Sequence, residues 1–173
     1  FLNSKNLYLI DFERINTHGG SIRFKVSNNN KKSKSIKIKS ILDLEKQKKL
    51  HNVNTYLSFY DKIMKKKEKL IKILNELKRK NKKIVGYGAP AKMTTLMYAF
   101  GLSKDYFKFI IDDSSIKQNL FSPGMNIKVV SSKHLKIDKA DVCVVFAWNF
   151  YQEIQKKHFK WQEQGGIFIN PLK

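Results

Sequence analysis

From residue 82 onward the sequence alternates short apolar runs with helix-forming stretches, and this alternation limits the possible folds more than any other feature of the chain. The first unit begins with KKIVGYG, a run typical of a short buried strand. PAKMTTLMYAFG follows and predicts a helix with Pro90 in its first turn and Gly101 at its end. Strand and helix in alternation are typical of a mainly parallel sheet covered by helices.

The same alternation continues to the last residues of the chain. The runs YFKFIIDD, IKVVSS, DVCVVFAW and GGIFIN predict further strands, and NFYQEIQKKHFKWQEQ predicts a helix before the last of them. Residues 82–173 therefore form one predicted domain. We expect an α/β fold with a Rossmann-like, mainly parallel sheet and helices on both of its faces.

The residues before this domain have a different pattern. LYLIDFERI and SIRFKV predict the two strands of a hairpin, joined by the glycine-containing turn NTHGG. SNNNKKSKS is typical of a linker, and apolar side chains then recur at helical spacing from Tyr56 to Leu77 among many lysines. We expect a hairpin in residues 1–30, a linker and one long amphipathic helix in 31–81, and the α/β domain in 82–173. Because a hairpin alone is only marginally stable in water, it needs a larger sheet to join.

The chain has a formal net charge of +21, which would ordinarily favour a nucleic acid as partner. Only three of the 35 basic residues, Arg14, Arg23 and Arg79, are arginine, the residue that nucleic-acid recognition favours. Residues 1–83 carry 23 basic and 7 acidic side chains, against 12 and 7 in residues 84–173, so most of the excess lies outside the α/β domain. The scarcity of arginine and the position of the excess charge therefore argue against a nucleic-acid partner. A basic RNA-binding module is the weaker alternative.

Composition also bears on the membrane and on metals. No apolar run approaches the roughly 20 residues that a membrane-spanning helix needs, so we expect no membrane partner and a cytoplasmic protein. The single cysteine, Cys143, lies in an apolar run, which predicts a buried core residue. We expect no metal site in this chain, because the sequence has no clustered cysteine and histidine ligands.

The turn after the first predicted strand of the α/β domain fits the pattern G-x-G-x-x-A through Gly86, Gly88 and Ala91. Glycines in these positions let backbone amides approach a phosphate, which the positive end of the following helix stabilises. Asp112 or Asp113 ends the next strand, where a carboxylate can accept hydrogen bonds from a ribose hydroxyl. Spacing alone thus predicts a nucleotide-phosphate site, and it also supports an NAD(P)-binding domain of an oxidoreductase. The alternative is a tight strand-to-helix turn that holds no ligand.

Three side chains add to this hypothesis. Lys92 lies in the first turn of the predicted helix, where a cation opposes the helix dipole and a nearby anion would offset the cost. Trp148 and Asn149 follow a later strand, and the carboxyl ends of parallel strands meet at one edge of a sheet. Trp148 either stacks on a base or sugar or is buried at the strand end.

Four segments, VGYGAPAK, DDSSIKQNLFSPG, AWNFYQEI and GGIFINPL, occur in an order that closely resembles the C-terminal domain of the S-adenosylmethionine-dependent sugar C-methyltransferases. These enzymes act on nucleotide-linked deoxysugars. DFERINTHGGSIRFKV resembles the end of the central methyltransferase domain of the same family, so the resemblance spans nearly the whole chain. The family has GAPAKGNT and KQG where this chain has GAPAKMTT and KQN, so Met93 and Asn119 depart from the family pattern.

The resemblance implies an enzyme of three parts: an N-terminal zinc-binding module, a central methyltransferase domain that binds S-adenosylmethionine, and a Rossmann-like C-terminal domain that helps to hold the nucleotide-sugar. Residues 1–30 would then be the closing hairpin of the central domain, which supplies the sheet that the hairpin needs. The motifs for zinc and for the methyl donor would precede Phe1. We therefore expect a methyltransferase fragment that is not catalytic alone and whose partner is the upstream methyltransferase domain of the same protein.

The resemblance also implies a substrate site at the glycine-containing turn. The amides of Gly88 to Ala91 and the amine of Lys92 would hold the diphosphate of the nucleotide-linked sugar. His18 in the turn THGGS would contact the sugar or support the catalytic base, and the alternative is a histidine that stabilises the turn. The predicted substrate-binding residues are Gly86, Tyr87, Gly88, Ala89, Pro90, Ala91, Lys92, Asp112, Asp113, Lys117, Trp148 and Asn149.

Overall fold

The structure, a computed structural model, describes residues 1–29 and 36–173, and it describes only the backbone of His18, Ile36 and Ile137. Most of the predicted linker, residues 30–35, thus lies outside the described residues. The chain divides into two compact units, residues 1–61 and 62–173.

The first unit contains the predicted hairpin. Strands β1 (Tyr8–Ile15) and β2 (Ser21–Ser27) pair antiparallel, and a short helical turn joins them. Helix α1 (Ile36–Gln47) follows and was not predicted as a separate helix. It lies against β1, where the Lys37 ammonium is 3.3 Å from the Asp11 carboxylate and 5.1 Å from the ring centre of Phe12.

Helix α2 (Val53–Arg79) is the predicted long amphipathic helix, and it continues from the first unit into the second. Leu70 and Leu74 are buried in the core of the second unit, whereas Tyr56 and Tyr60 remain exposed. The apolar stripe is therefore buried only in the later turns. None of the helices in the described residues is both long and apolar enough to span a membrane.

The second unit is built on five parallel strands: β3 (Ile84–Tyr87), β4 (Ile110–Ile111), β5 (Val129–Val130), β6 (Val142–Val145) and β7 (Ile167–Ile169). Their order in the sheet is β5-β4-β3-β6-β7, and every neighbouring pair is parallel. The chain thus adds β4 and β5 on one side of β3 and then adds β6 and β7 on the other side of β3. This order confirms the predicted Rossmann-like fold and places a switch of direction between β3 and β6.

Helices cover both faces of this sheet. Ile84, Ile110 and Val144 pack on one face with residues of α2 and of α3 (Ala91–Phe100). Val85, Cys143 and their neighbours pack on the other face with residues of three short helices, α4 (His134–Ile137), α5 (Tyr151–Lys157) and α6 (Phe159–Glu163). Alternate residues of β3 and β6 therefore belong to opposite halves of the core, as expected for a strand that is buried on both sides. Cys143 is fully buried, which confirms the predicted core position.

Two predicted elements differ from the structure in length. The single helix predicted over residues 149–164 is two helices, α5 and α6, with a non-helical residue at His158, whose ring contacts β3. In the YFKFIIDD run only Ile110 and Ile111 form a strand. Residues just before that run are held in a helical turn, because the Ser103 hydroxyl accepts a hydrogen bond from the Asp105 amide.

Gly86 in β3 provides a test of the packing on the α3 side of the sheet. A Cβ atom at this position would lie 2.4 Å from Cδ1 of Ile110 and 2.7 Å from Cε2 of Phe146. Both of these side chains are fully buried in the core. We expect Gly86→Ala to lower the free energy of unfolding by about 1–3 kcal/mol because it overpacks the core.

Urea unfolding followed by tryptophan fluorescence measures this change, since both tryptophans of the chain, Trp148 and Trp161, lie in the second unit. Adding Ile110→Val removes the methyl group that the new Cβ meets first, so the double variant should regain part of the loss. A Gly86→Ala chain as stable as the parent would contradict this packing.

Candidate functional site

Three loops meet at the carboxyl edge of the sheet. The glycine turn, residues 88–92, follows β3 and begins α3, and the loop of residues 112–128 follows β4. Residues 146–150 follow β6 on the other side of β3. This edge, next to the switch between β3 and β6, is where open α/β sheets bind their ligands.

Gly88 is the point at which the glycine turn touches the loop after β6. Its φ of +90° is a conformation that side chains disfavour, and an added Cβ would lie 2.6 Å from Cβ of Ala147. The Tyr87 carbonyl accepts hydrogen bonds from the amides of Phe146 and Ala147, which holds the two loops together. Only glycine permits this approach of the two loops.

The buried carboxylate of Asp112 fixes the other side of the glycine turn. Its Oδ2 accepts a hydrogen bond from the Ala89 amide at 2.7 Å, and its Oδ1 accepts one from the Ser114 amide at 2.9 Å. The Gly88 amide donates to the Ile111 carbonyl at 2.6 Å. Lys117 closes the arrangement, since its ammonium lies 3.3 Å from Asp112 Oδ2 and 3.2 Å from the Ala89 carbonyl oxygen.

These bonds decide which amides of the glycine turn remain available. The amides of Gly88 and Ala89 are used within the protein, and Pro90 has no amide hydrogen. In the described part of the chain, the amides of Ala91 and Lys92 have no acceptor, as is usual in the first turn of a helix. Of the amides predicted to hold a diphosphate, only that of Ala91 is free, and the amide of Lys92 joins it.

The Lys92 side chain adds a charge at the same place. Its ammonium lies 4.3 Å from the ring centre of Trp148, a cation–π contact. Burial lowers the pKa of Lys92, and no acidic side chain in the described residues forms an ion pair with it. A cation at the positive end of α3 is unfavourable by itself, so an anion bound here would be stabilised by both groups.

Asp113 turns away from the glycine turn toward the opposite face of the sheet. Its carboxylate accepts a hydrogen bond from the Tyr87 hydroxyl at 2.9 Å and lies 2.6 Å from the Lys157 ammonium. Burial raises the pKa of Asp113, but the hydrogen bonds from Lys157 and Tyr87 outweigh it and the pKa is lowered overall. Burial and the bond to Asp113 raise the pKa of the Tyr87 hydroxyl.

His158 completes this cluster. Its Nε2 lies 2.9 Å from the Tyr87 hydroxyl oxygen, and the two rings are 5.3 Å apart between centres. Because the hydroxyl proton of Tyr87 is donated to Asp113, His158 must donate its Nε2 hydrogen to Tyr87. Neither His158 nor Lys157 was predicted as a site residue. The available signal was Tyr87 itself, since a tyrosine in a fully buried strand needs a partner for its hydroxyl.

The structure brings most of the predicted site residues to one edge. Asn149 lines a cavity of about 250 Å³ together with Trp148 and Asn170.

Two residues depart from the pattern of the resembling family. Asn119, where that family has glycine, has a φ of +67°, a conformation that asparagine adopts more readily than most residues. Met93 is buried in the core. His18 belongs to the first unit, and its side chain lies outside the description. The roles given to all these residues remain predictions.

The described residues contain no group of three or more His, Cys, Asp or Glu side chains that could hold a metal ion.

The buried His158 predicts a pH dependence of stability. Burial, and next the charge of Lys157, lower the pKa of His158 below the 6.5 of an unfolded histidine. The unfolded chain therefore binds more protons as the pH falls below about 6.5, and the folded state loses stability there. We expect the free energy of unfolding to fall between pH 7.5 and 5.5, and to fall less steeply in His158→Gln, by at most about 1.4 kcal/mol per pH unit.

His51→Gln is the matched control, because it removes an exposed histidine of the first unit. Equal pH profiles for His158→Gln and the parent chain would show that His158 does not titrate differently on folding.

Comparison with known proteins agrees with the fold and with the motifs. The profile of a family described as the C-methyltransferase C-terminal domain matches residues 16–172. The C-methyltransferase NovU of Streptomyces niveus is 34% identical to the chain over 91 residues, which are 53% of this chain and 22% of NovU. The aligned part is thus less than two thirds of that relative. The match over nearly the whole chain confirms the resemblance, and the chain belongs to the family of C-methyltransferase C-terminal domains.

Proposed function

We propose that this chain is the part of an S-adenosylmethionine-dependent C-methyltransferase that holds a nucleotide-linked deoxysugar by its diphosphate. The family membership supports the enzyme class. The observation that carries the proposal is the pair of free amides at Ala91 and Lys92, together with the Lys92 ammonium, for which the described residues supply no ion-pair partner. Two amides and a cation at a helix N-terminus match the oxygens and negative charge of a diphosphate.

In this proposal Asp112 and Lys117 shape the diphosphate site and do not contact the diphosphate itself. Asp112 fixes the Ala89 amide and Lys117 contacts the Ala89 carbonyl, so together they set the path of the backbone into α3. Trp148 holds the Lys92 ammonium at the loop after β6 through the cation–π contact. Asn149 lines the cavity next to Trp148, where a sugar would extend from the diphosphate.

A dinucleotide such as NAD fits this edge less well. Binding of NAD at a G-x-G-x-x-A turn uses a carboxylate at the end of the next strand to accept bonds from the ribose hydroxyls. Both candidate carboxylates are engaged by protein donors, Asp112 by Ala89, Ser114 and Lys117, and Asp113 by Tyr87 and Lys157. The same reasoning disfavours S-adenosylmethionine at this turn, because this cofactor also has ribose hydroxyls. We therefore propose that S-adenosylmethionine binds the upstream methyltransferase domain. We also propose that the enzyme is cytoplasmic.

The reaction itself would then occur outside this edge. S-adenosylmethionine supplies the methyl group when it is bound. The residues described above would hold the nucleotide end of the substrate, remote from the reacting carbon, and this binding energy would position the sugar. The hairpin of residues 1–30 would belong to the methyltransferase domain. Side chains along β2, at Ile22, Phe24 and Val26, are apolar, share one face of the hairpin and are exposed in the described residues, as expected for a face that further protein covers.

Replacement of Lys92 tests the proposal directly. Lys92→Ala should weaken binding of a nucleoside-diphosphate sugar by about 1.5–3 kcal/mol, the value of a hydrogen bond to a charged group, which is roughly 10- to 150-fold in Kd. Isothermal titration calorimetry measures the affinity. Lys160→Ala is the matched control, because it removes an exposed lysine of α6.

The alternative functions are outcomes of the same titrations. Binding of NAD without binding of nucleoside-diphosphate sugars would refute the proposal in favour of an oxidoreductase domain. Strongly salt-dependent RNA binding without sugar-nucleotide binding would favour a basic RNA-binding module. Equal sugar-nucleotide affinities of Lys92→Ala and the parent chain would refute the role of Lys92.

A further inference from the structure

A second cavity adjoins the glycine turn on the β4 side. It has a volume of about 250 Å³ and begins at Ala89 and Lys117, the two residues that Asp112 holds together. Leu120, Phe121 and Pro123 form further walls. Whole drug-sized ligands need pockets of roughly 300–1,000 Å³, so this cavity has room for one flat portion of a larger molecule.

Two properties of the lining point to an aromatic ring as that portion. Phe121 is 58% exposed and Leu120 is 56% exposed, although both line the cavity, so their apolar surfaces remain available to a ligand. The hydroxyl oxygen of buried Ser122 accepts a hydrogen bond from the Ile127 amide. The hydroxyl proton of Ser122 is thus free to donate to an acceptor on the ring. An apolar wall with a few polar groups is the usual lining of a site for a heterocycle.

The cavity also lies at the right separation from the free amides. Ala89 lines it, and the first free amide belongs to Ala91, two residues further on. Two residues span at most about 7 Å, which is comparable with the reach of a ribose between its base and its 5′ phosphate. A ligand with its diphosphate at Ala91 and Lys92 can thus place its base in this cavity.

From these observations we infer that the cavity lined by Ala89, Lys117, Leu120, Phe121, Ser122 and Val129 receives the nucleobase of the nucleotide-linked sugar, with the base stacked on Phe121. The inference rests on the proposed diphosphate site and adds an orientation to it. With the base on the β4 side, the sugar leaves on the other side of the glycine turn, over Trp148 and Asn149. The polar cavity that these two residues share with Gln152, Glu153 and Asn170 suits the hydroxyl groups of a sugar.

Phe121→Ala tests the inference, since it removes the stacking surface without opening the core. We expect it to weaken binding of the tightest among uridine, thymidine, guanosine and adenosine diphosphates by about fivefold or more, the effect of losing one base–aromatic stack. Binding of inorganic pyrophosphate, which has no base, should stay unchanged. Phe121→Tyr should keep most of the nucleotide affinity, and Phe159→Ala, which removes an equally exposed ring of α6, should have no effect.

The outcomes separate this inference from the proposed function. A parent chain that binds nucleoside diphosphates no more tightly than pyrophosphate, or a Phe121→Ala chain with unchanged nucleotide affinity beside a weakened Lys92→Ala chain, would overturn the base pocket and leave the diphosphate site standing. A parent chain that binds neither ligand would overturn both. If Phe121→Ala instead dissociates a dimer in analytical ultracentrifugation and leaves nucleotide affinity intact, the surface is a contact between copies of the chain and the inference is wrong.

Discussion

The hydrogen bond from the Ala89 amide to the buried Asp112 carboxylate is the interaction on which the carboxyl edge of the sheet depends. It joins the turn after β3 to the loop after β4, and the close approach of Gly88 to Ala147 joins the same turn to the loop after β6. The turn is therefore held from both sides before any ligand is present. A site whose backbone is already fixed loses less entropy on binding, which is the physical advantage of this arrangement.

The same interaction determines what chemistry the edge offers. The Ala89 amide donates to the Asp112 carboxylate, and the Gly88 amide donates to the Ile111 carbonyl. The free amide donors of the glycine turn are therefore those of the first residues of α3. Because Asp113 accepts from Tyr87 and lies beside Lys157, both carboxylates are already engaged by protein donors. A pattern shared with dinucleotide-binding folds thus presents, in this chain, free donors for an anion next to carboxylates that other protein groups already hold.

The sequence predicted the fold well where local signals were strong. Continuous apolar runs identified β3 and β6, and Pro90 and Gly101 marked the limits of α3. The break of the last helix at His158 was not predicted; His158 contacts Tyr87, 71 residues away, and no local pattern reveals such a contact. Spacing placed both aspartates at the end of β4 but could not tell them apart. Successive side chains of a strand point to opposite faces, so only the register of the sheet shows which aspartate meets the turn.

Backbone amide NMR of the ¹⁵N-labelled chain tests the central claim most directly, namely that the free amides at the start of α3 bind the diphosphate. Titration with a nucleoside-diphosphate sugar should shift the resonances of Ala91 and Lys92 strongly downfield as they gain a charged acceptor. Those of Gly88 and Ala89, already bonded to Ile111 and Asp112, should move much less. Saturable binding that leaves Ala91 and Lys92 unshifted would contradict this account of the site.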